Sequence, residues 1–232
     1  MKTSDLIQSY LIAPDVSQSR LTRRVSGKDQ TGASKEINVV EERPLTIFLN
    51  SQEIVTSMTV GDYPEYLAIG FLRNQGMLHF DDDITSIDYD DELETVVVRT
   101  ARKTNYEEKL SRKTRTSGCA VGTVFGDIME GLDNLTLSST PLKTSWLYTL
   151  ANQINQTPSL YLEAGAIHGT VLCEKETPLV YMEDVGRHNA VDKIAGWMML
   201  NSVKGSEKIL YTTGRLTSEM VIKTASMGIP AL

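Results

Sequence analysis

Apolar residues fall in short runs along the chain, and their spacing changes from strand-like to helix-like and back. Leu45, Ile47 and Leu49 alternate as a strand with one buried face does, Asn50-Ser51-Gln52 offers a turn, and Glu53-Ile54-Val55 returns, which predicts a hairpin. Tyr63-Pro64 then opens a helix whose face carries Leu67, Gly70, Phe71 and Asn74 and which ends before Gly76. Strands are predicted at 84–89 and 93–99. In the second half Val171 and Cys173 alternate, Leu179-Val180-Tyr181-Met182 reads as a strand, and Val191, Ile194, Ala195 and Met198 repeat at helical spacing behind it. A further strand, Lys208 to Thr213, is followed by Gly214-Arg215 and by a helix capped at Thr217 or Ser218 and running through Met227. Residues 1–36 are rich in Ser, Thr, Gln and Lys with weak periodicity, and are expected to be loosely ordered.

The polar residues are most crowded where the apolar pattern switches from strand to helix. Glu183-Asp184-Val185-Gly186-Arg187-His188-Asn189-Ala190-Val191-Asp192-Lys193 places its titratable side chains on that turn. Backbone N–H groups at a helix N-terminus lack intrahelical partners and carry partial positive charge, so an anion is stabilised there, more so beside Arg187. The alternative is that Asn189 caps the helix while Arg187 and His188 are solvated. Gly214-Arg215 repeats the strand-Gly-Arg-helix arrangement. If the two strands lie side by side and parallel, both arginines emerge at one sheet edge, a common ligand position in open α/β sheets. A phosphate-bearing, nucleotide-like ligand is expected, although no Walker loop or GxGxxG fingerprint is present.

The chain has 232 residues, 41% of them hydrophobic, and suits one large domain or two small ones. No run approaches the roughly 20 apolar residues of a membrane span and no signal-type apolar core follows Met1, so a cytoplasmic location is expected. The net charge of −7 argues against a nucleic-acid coat. Residues 99–115 run the other way, with seven cations against Glu107 and Glu108, a local balance of +5. That stretch leads into Gly118-Cys119, ahead of a helical pattern through Val124, Ile128 and Leu132. A cysteine near cationic side chains and a helix N-terminus favours its thiolate. The readings open at this point are a structural residue, a nucleophile or a sulfur carrier. Cys173 reads instead as a small buried hydrophobe. The two cysteines do not form a CxxC pair and His79, His168 and His188 are widely spaced, so no metal site is expected.

Several of these segments together resemble the FdhD family of formate dehydrogenase accessory proteins: Glu42-Arg43-Pro44-Leu45-Thr46, Ala68-Ile69-Gly70-Phe71-Leu72, Gly118-Cys119, Gly165-Ala166-Ile167-His168, the run from Asp184 to Lys193, and Gly214-Arg215 with Glu219-Met220. The resemblance extends from about Ile37 to the end. It implies an α/β protein with a cytidine deaminase-like mixed sheet flanked by helices over 116–232 and a smaller α+β N-terminal domain over 37–115. It also implies a sulfurtransferase in which Cys119 accepts a persulfide from a cysteine desulfurase and passes the sulfur to the molybdenum cofactor destined for formate dehydrogenase. The cofactor is expected in its bis-molybdopterin guanine dinucleotide form, with GDP as an analogue. Its implied contacts are His168, Asp184, Gly186, Arg187, His188, Asn189, Gly214 and Arg215, and the protein is expected to be a homodimer. Two departures from the family pattern are visible. Gly122 stands where many members have a second cysteine, and the chain stops where the family normally continues through a further helix and strand. A base or pterin hydrolase is disfavoured because His168 lacks partner cysteines. A cofactor-holding chaperone without sulfur chemistry is the remaining alternative.

Overall fold

The computed structural model describes residues 10–18, 20–102 and 135–232. The first elements are β1 (Thr22–Lys28) and β2 (Ser34–Val40), an antiparallel hairpin in full register from Thr22 opposite Val40 to Lys28 opposite Ser34. It occupies the end of the segment expected to be loosely ordered. The alternation that marks a half-buried strand is weak here because most of the ribbon's side chains are exposed or only half-buried. Its turn supplies the order instead: the Asp29 carboxylate accepts the N–H groups of Thr31 and Ala33, and Gly32 takes the left-handed conformation at φ 83°.

A four-stranded sheet follows, ordered β4-β3-β6-β5, from β3 (Arg43–Leu49), β4 (Gln52–Thr59), β5 (Ile84–Asp90) and β6 (Thr95–Thr100). β3 and β6 pair in parallel and the outer pairs are antiparallel. The inward positions of the expected hairpin, Leu45, Ile47 and Leu49, are buried together with Val96 and Val98. α1 (Pro64–Asn74) closes this core with Leu67, Ala68, Ile69 and Leu72. Proline at its first position removes an N–H that would have had no helical partner.

The second half contains α2 (Thr144–Gln156), α3 (Leu160–Ala164), β7 (His168–Glu174), β8 (Thr177–Asp184), α4 (Arg187–Leu200), β9 (Lys208–Thr212) and α5 (Ser218–Ser226). Its sheet is ordered β8-β7-β9, with β7 antiparallel to both neighbours. β8 and β9 therefore do not lie side by side, the condition set in the sequence analysis, but are separated by β7. They still run in the same direction, so the turns that leave them emerge at the same edge. α4 and α5 pack over the sheet through Val191, Ile194, Met198 and Met220 onto Leu172, Val180, Met182 and Leu210. No described helix is long and apolar enough to cross a membrane.

The two halves meet where α1 crosses α4, and glycines set the distance. A Cβ on Gly70 would lie 1.6 Å from the carbonyl oxygen of Asp192, and one on Gly196 would lie 1.9 Å from that of Tyr66. Backbone therefore packs on backbone, and any side chain at either position forces the helices apart. Gly196→Ala is expected to lose about 1–3 kcal/mol of stability, the usual cost of overpacking a tight core, despite alanine's better helix propensity. A denaturant midpoint equal to the wild type's would contradict so close a crossing.

Candidate functional site

β8 ends at Asp184, and Val185-Gly186 turns the chain into α4. Gly186 is the N-cap residue, in extended conformation, and no side chain caps the helix. Asn189, the alternative cap in the sequence reading, does something else. Its Nδ2 donates to the Met58 carbonyl at 2.8 Å and to Asp184 Oδ1 at 3.0 Å, while its Oδ1 accepts from Ser57 Oγ at 3.2 Å. Asp184 is fully buried. Its Oδ1 also accepts from Gly186 N at 3.2 Å, and its Oδ2 accepts from Thr59 Oγ1 at 2.5 Å and faces Lys193 Nζ at 2.6 Å.

Lys193 lies at 0% exposure in the middle of α4. Its ammonium meets Asp184, Asp62 at 2.5 Å and the Glu183 carbonyl at 2.9 Å. Burial alone would strip its proton, but the two carboxylates outweigh that effect and raise the pKa, so the side chain stays charged. Its immediate neighbour Asp192 takes a charge-assisted contact from Lys223 Nζ on both carboxylate oxygens, at 2.8 and 2.7 Å, plus one from Asn74 Nδ2 at 2.7 Å. The second half's buried charges are thus answered partly by Thr59, Asp62 and Asn74 of the first.

Above this layer the chain presents cationic and donor groups. A Cβ on Gly214 would lie 2.9 Å from Arg187 Cβ, so the second Gly-Arg turn presses on the first. Arg187 Nε, His188 Nε2 and Thr217 Oγ1 are buried without a hydrogen-bond partner among the described residues. His188 Nε2 is 3.3 Å from Glu219 Oε2, inside ion-pair range but outside hydrogen-bond geometry. Burial first, and then Lys223, draws the His188 pKa down to about 4 against the opposing pull of Glu219, so the ring is neutral at pH 7. His168, opposite Asp184 in the β7/β8 ladder, is likewise lowered by burial and then by Arg187 and Arg215. Beside it opens a cleft of about 630 Å³ lined by Asn155, Tyr161, Ile167, His168, Tyr211 and Thr213. Glu183 holds one wall: its carboxylate accepts the N–H groups of Leu160 at 2.7 Å and Tyr161 at 3.2 Å, at the start of α3. Burial pushes its pKa up to about 7, against those two hydrogen bonds.

The residues singled out from the sequence, His168, Asp184, Gly186, Arg187, His188, Asn189, Gly214 and Arg215, therefore gather at one end of the β8-β7-β9 sheet. Within the group Asp184 and Asn189 have their polar atoms engaged by protein, whereas Arg187 and His188 keep donor or acceptor atoms unengaged. Sequence reasoning missed Ser57, Thr59 and Asp62, and it placed Lys193 in the polar run without its buried, paired role, although a lysine inside an apolar helical stripe is a signal that it is paired. Cys119 and most of the basic stretch lie outside the described residues. Cys173 is buried at 0% exposure, and burial pushes its thiol up to about 12, as expected of a small hydrophobe.

The two arginine-bearing strand-to-helix turns lie at one sheet edge of a protein of the mixed α/β class. Residues 40–232 match the FdhD/NarQ family, and the chain belongs to that family. It is 27% identical over 223 residues to the sulfur carrier protein FdhD of Bacillus pumilus (strain SAFR-032), covering 93% of this chain and 82% of that one. With the sulfur carrier protein FdhD of Bacillus subtilis (strain 168) it shares 30% identity over 203 residues, covering 84% and 77%. A crystal structure from Desulfotalea psychrophila, provisionally described as a formate dehydrogenase accessory protein, superposes with a TM-score of 0.71 at 27% identity, covering 90% of this chain and 81% of that one.

Two of the perturbed groups, His188 and Glu183, act oppositely on stability. Below pH 6.5 the unfolded chain protonates His188, but the folded chain does not until about pH 4, so this residue's contribution is full above 6.5 and falls as pH drops through that window. The folded chain protonates Glu183 below about pH 7 and the unfolded chain only near 4.5, so this contribution is full below 4.5 and falls as pH rises. The stability gap between wild type and His188→Asn should therefore shrink on acidification, and that between wild type and Glu183→Gln should grow. Chemical denaturation from pH 4 to pH 8 checks both, and parallel curves would contradict these environments.

Proposed function

We propose that this protein is a sulfur carrier acting on the molybdenum cofactor in the maturation of formate dehydrogenase. The observation that carries the reading is the pairing of unengaged buried groups, Arg187 Nε and His188 Nε2, with two helix N-termini that no side chain caps, in a chain similar over most of its length to proteins named sulfur carriers. A diphosphate suits such a site: Arg187 and Arg215 supply charge, the first turns of α4 and α5 supply N–H groups, and neutral His188 supplies a ring nitrogen. The adjacent cleft, with Tyr161 and Tyr211 on its walls, suits a planar ring. Bis-molybdopterin guanine dinucleotide, which has both diphosphates and guanines, is the substrate this arrangement favours, and GDP is its simplest analogue. The β8-β7-β9 order with α4 and α5 on the sheet supports the cytidine deaminase-like arrangement of the second half.

The sulfur step belongs to Cys119. Its thiolate attacks the terminal sulfur of a persulfide on a cysteine desulfurase; the S–S bond of the donor breaks, the desulfurase leaves as a thiolate, and a new S–S bond forms on Cys119. Passing that sulfur on as a sulfide ligand consumes two electrons, which a thiol reductant supplies. The carrier works in the cytoplasm as a homodimer in this reading, as the family resemblance implies.

Incubation with a cysteine desulfurase and cysteine should add one reducible sulfur atom to the wild-type protein and none to Cys119→Ala, read by intact-protein mass spectrometry. No gain in either would favour a cofactor chaperone; a gain in both would move the role to another residue. Arg187→Ala or Arg215→Ala should weaken GDP binding by about 1.5–3 kcal/mol, the worth of a charge-assisted hydrogen bond, in a calorimetric titration. Unchanged affinity would place the ligand elsewhere.

A further inference from the structure

We infer that β4, in the first half of the chain, is a positioning element for the anion-binding turn in the second, and that Ser57 and Thr59 are its positioning residues. The inference rests on the reading of that turn as the diphosphate site. No side chain caps the turn: Gly186 is the N-cap of α4, and Asn189, which lies against Gly186, gives its amide to Asp184 and the Met58 carbonyl. The local contacts, which run through Asp184, are themselves held from outside. Ser57 Oγ donates to Asn189 Oδ1, the Met58 carbonyl accepts from Asn189 Nδ2, and Thr59 Oγ1 donates to Asp184 Oδ2, across 125 to 132 positions of sequence. β4 is an edge strand of its sheet, paired on one side only, with Ser57, Met58 and Thr59 opposite Leu45, Pro44 and Arg43 of β3.

The direction of each bond matters. Asp184 Oδ1 accepts from both Gly186 N and Asn189 Nδ2, so the orientation of that carboxylate fixes the residues on both sides of Arg187. Thr59 and Lys193 hold the other oxygen, and Lys193 is itself held by Asp62 just beyond β4. A carboxylate fixed at one oxygen by a hydroxyl and an ammonium cannot rotate without breaking contacts at both. Loss of the Thr59 hydroxyl leaves the ion pair and the fold in place but removes one of the two restraints on that oxygen and loosens the carboxylate. Arg187 and the first N–H groups of α4 then sample more than one arrangement, and a ligand must select one of them before it binds.

Because Thr59 and Ser57 act only through the turn, their effect on binding should disappear when the turn's own contact is removed. Inorganic pyrophosphate is the probe, titrated calorimetrically against the wild type, Thr59→Val, Thr59→Ser, Ser57→Ala, Arg187→Ala and the Thr59→Val/Arg187→Ala double variant. Thr59→Val should weaken binding about tenfold, the worth of one hydrogen bond to a charged group, Thr59→Ser should restore it, and Thr59→Val should cost little further affinity in the Arg187→Ala background. Amide hydrogen exchange is read on the same proteins without ligand: Thr59→Val and Ser57→Ala should speed exchange at residues 186–190 and leave β7 and β9 unchanged. Wild-type-like affinity and exchange in folded Thr59→Val and Ser57→Ala would overturn the inference. If the wild type binds no pyrophosphate, the diphosphate reading fails, and positioning of the turn then stands or falls on the exchange data alone.

Discussion

The ammonium of Lys193 is the charge on which the site end of the structure depends. A lysine at 0% exposure carries a desolvation cost that only close counter-charges offset, and here Asp184, Asp62 and the Glu183 carbonyl converge on it. Such a cluster is weak grounds for claiming extra stability, since an apolar packing of similar volume can do as well. What it provides is register. Asp62 follows β4, Asp184 ends β8 and Lys193 lies in α4, so all three segments must be in place before all of these charges are satisfied.

The crossing of α1 over α4 makes that convergence possible. Gly70 and Gly196 bring the helix backbones together, and only at that separation can Asn74 of α1 reach Asp192 of α4. α4 consequently has residues from Ala190 to Met198 buried on every side, Asp192 and Lys193 among them. Each of those two charges is answered by an opposite charge and by a polar group from the first half. The inner layer thus consumes carboxylates and amide groups, while Arg187, His188 and Arg215 remain on the outer layer at the same edge. The eleven-residue run thus supplies the inward neutralisation and one outward cation, Arg187, and the second Gly-Arg turn adds Arg215.

Much of this was visible in the sequence, and the gaps have physical reasons. The β3/β4 hairpin and α1 were legible because one face of each is buried and the other is not, which is the condition for a clean period. The β1/β2 hairpin was not, because no face of it is strongly buried; its signal was the Asp29-to-Gly32 turn. The two Gly-Arg turns were legible as a repeated pattern, but not the placement of β7 between β8 and β9, since strand order is settled by packing rather than by spacing. Asn189 illustrates the limit at the level of the site. Its position favoured a helix cap, yet the partners that redirect it, Ser57 and Met58, lie more than a hundred residues away. Lys193 looked like one more polar residue of the cluster for the same reason, because nothing local announces Asp62.

The most direct measurement is a crystal structure of the protein with GDP. The account predicts diphosphate density between the Gly186-Arg187 and Gly214-Arg215 turns, with Arg187 Nε and His188 Nε2 engaged and the Asp184–Lys193–Asp62 cluster unmoved. Nucleotide bound instead in the apolar groove beside Leu147 and Tyr148, with both turns empty, would contradict it.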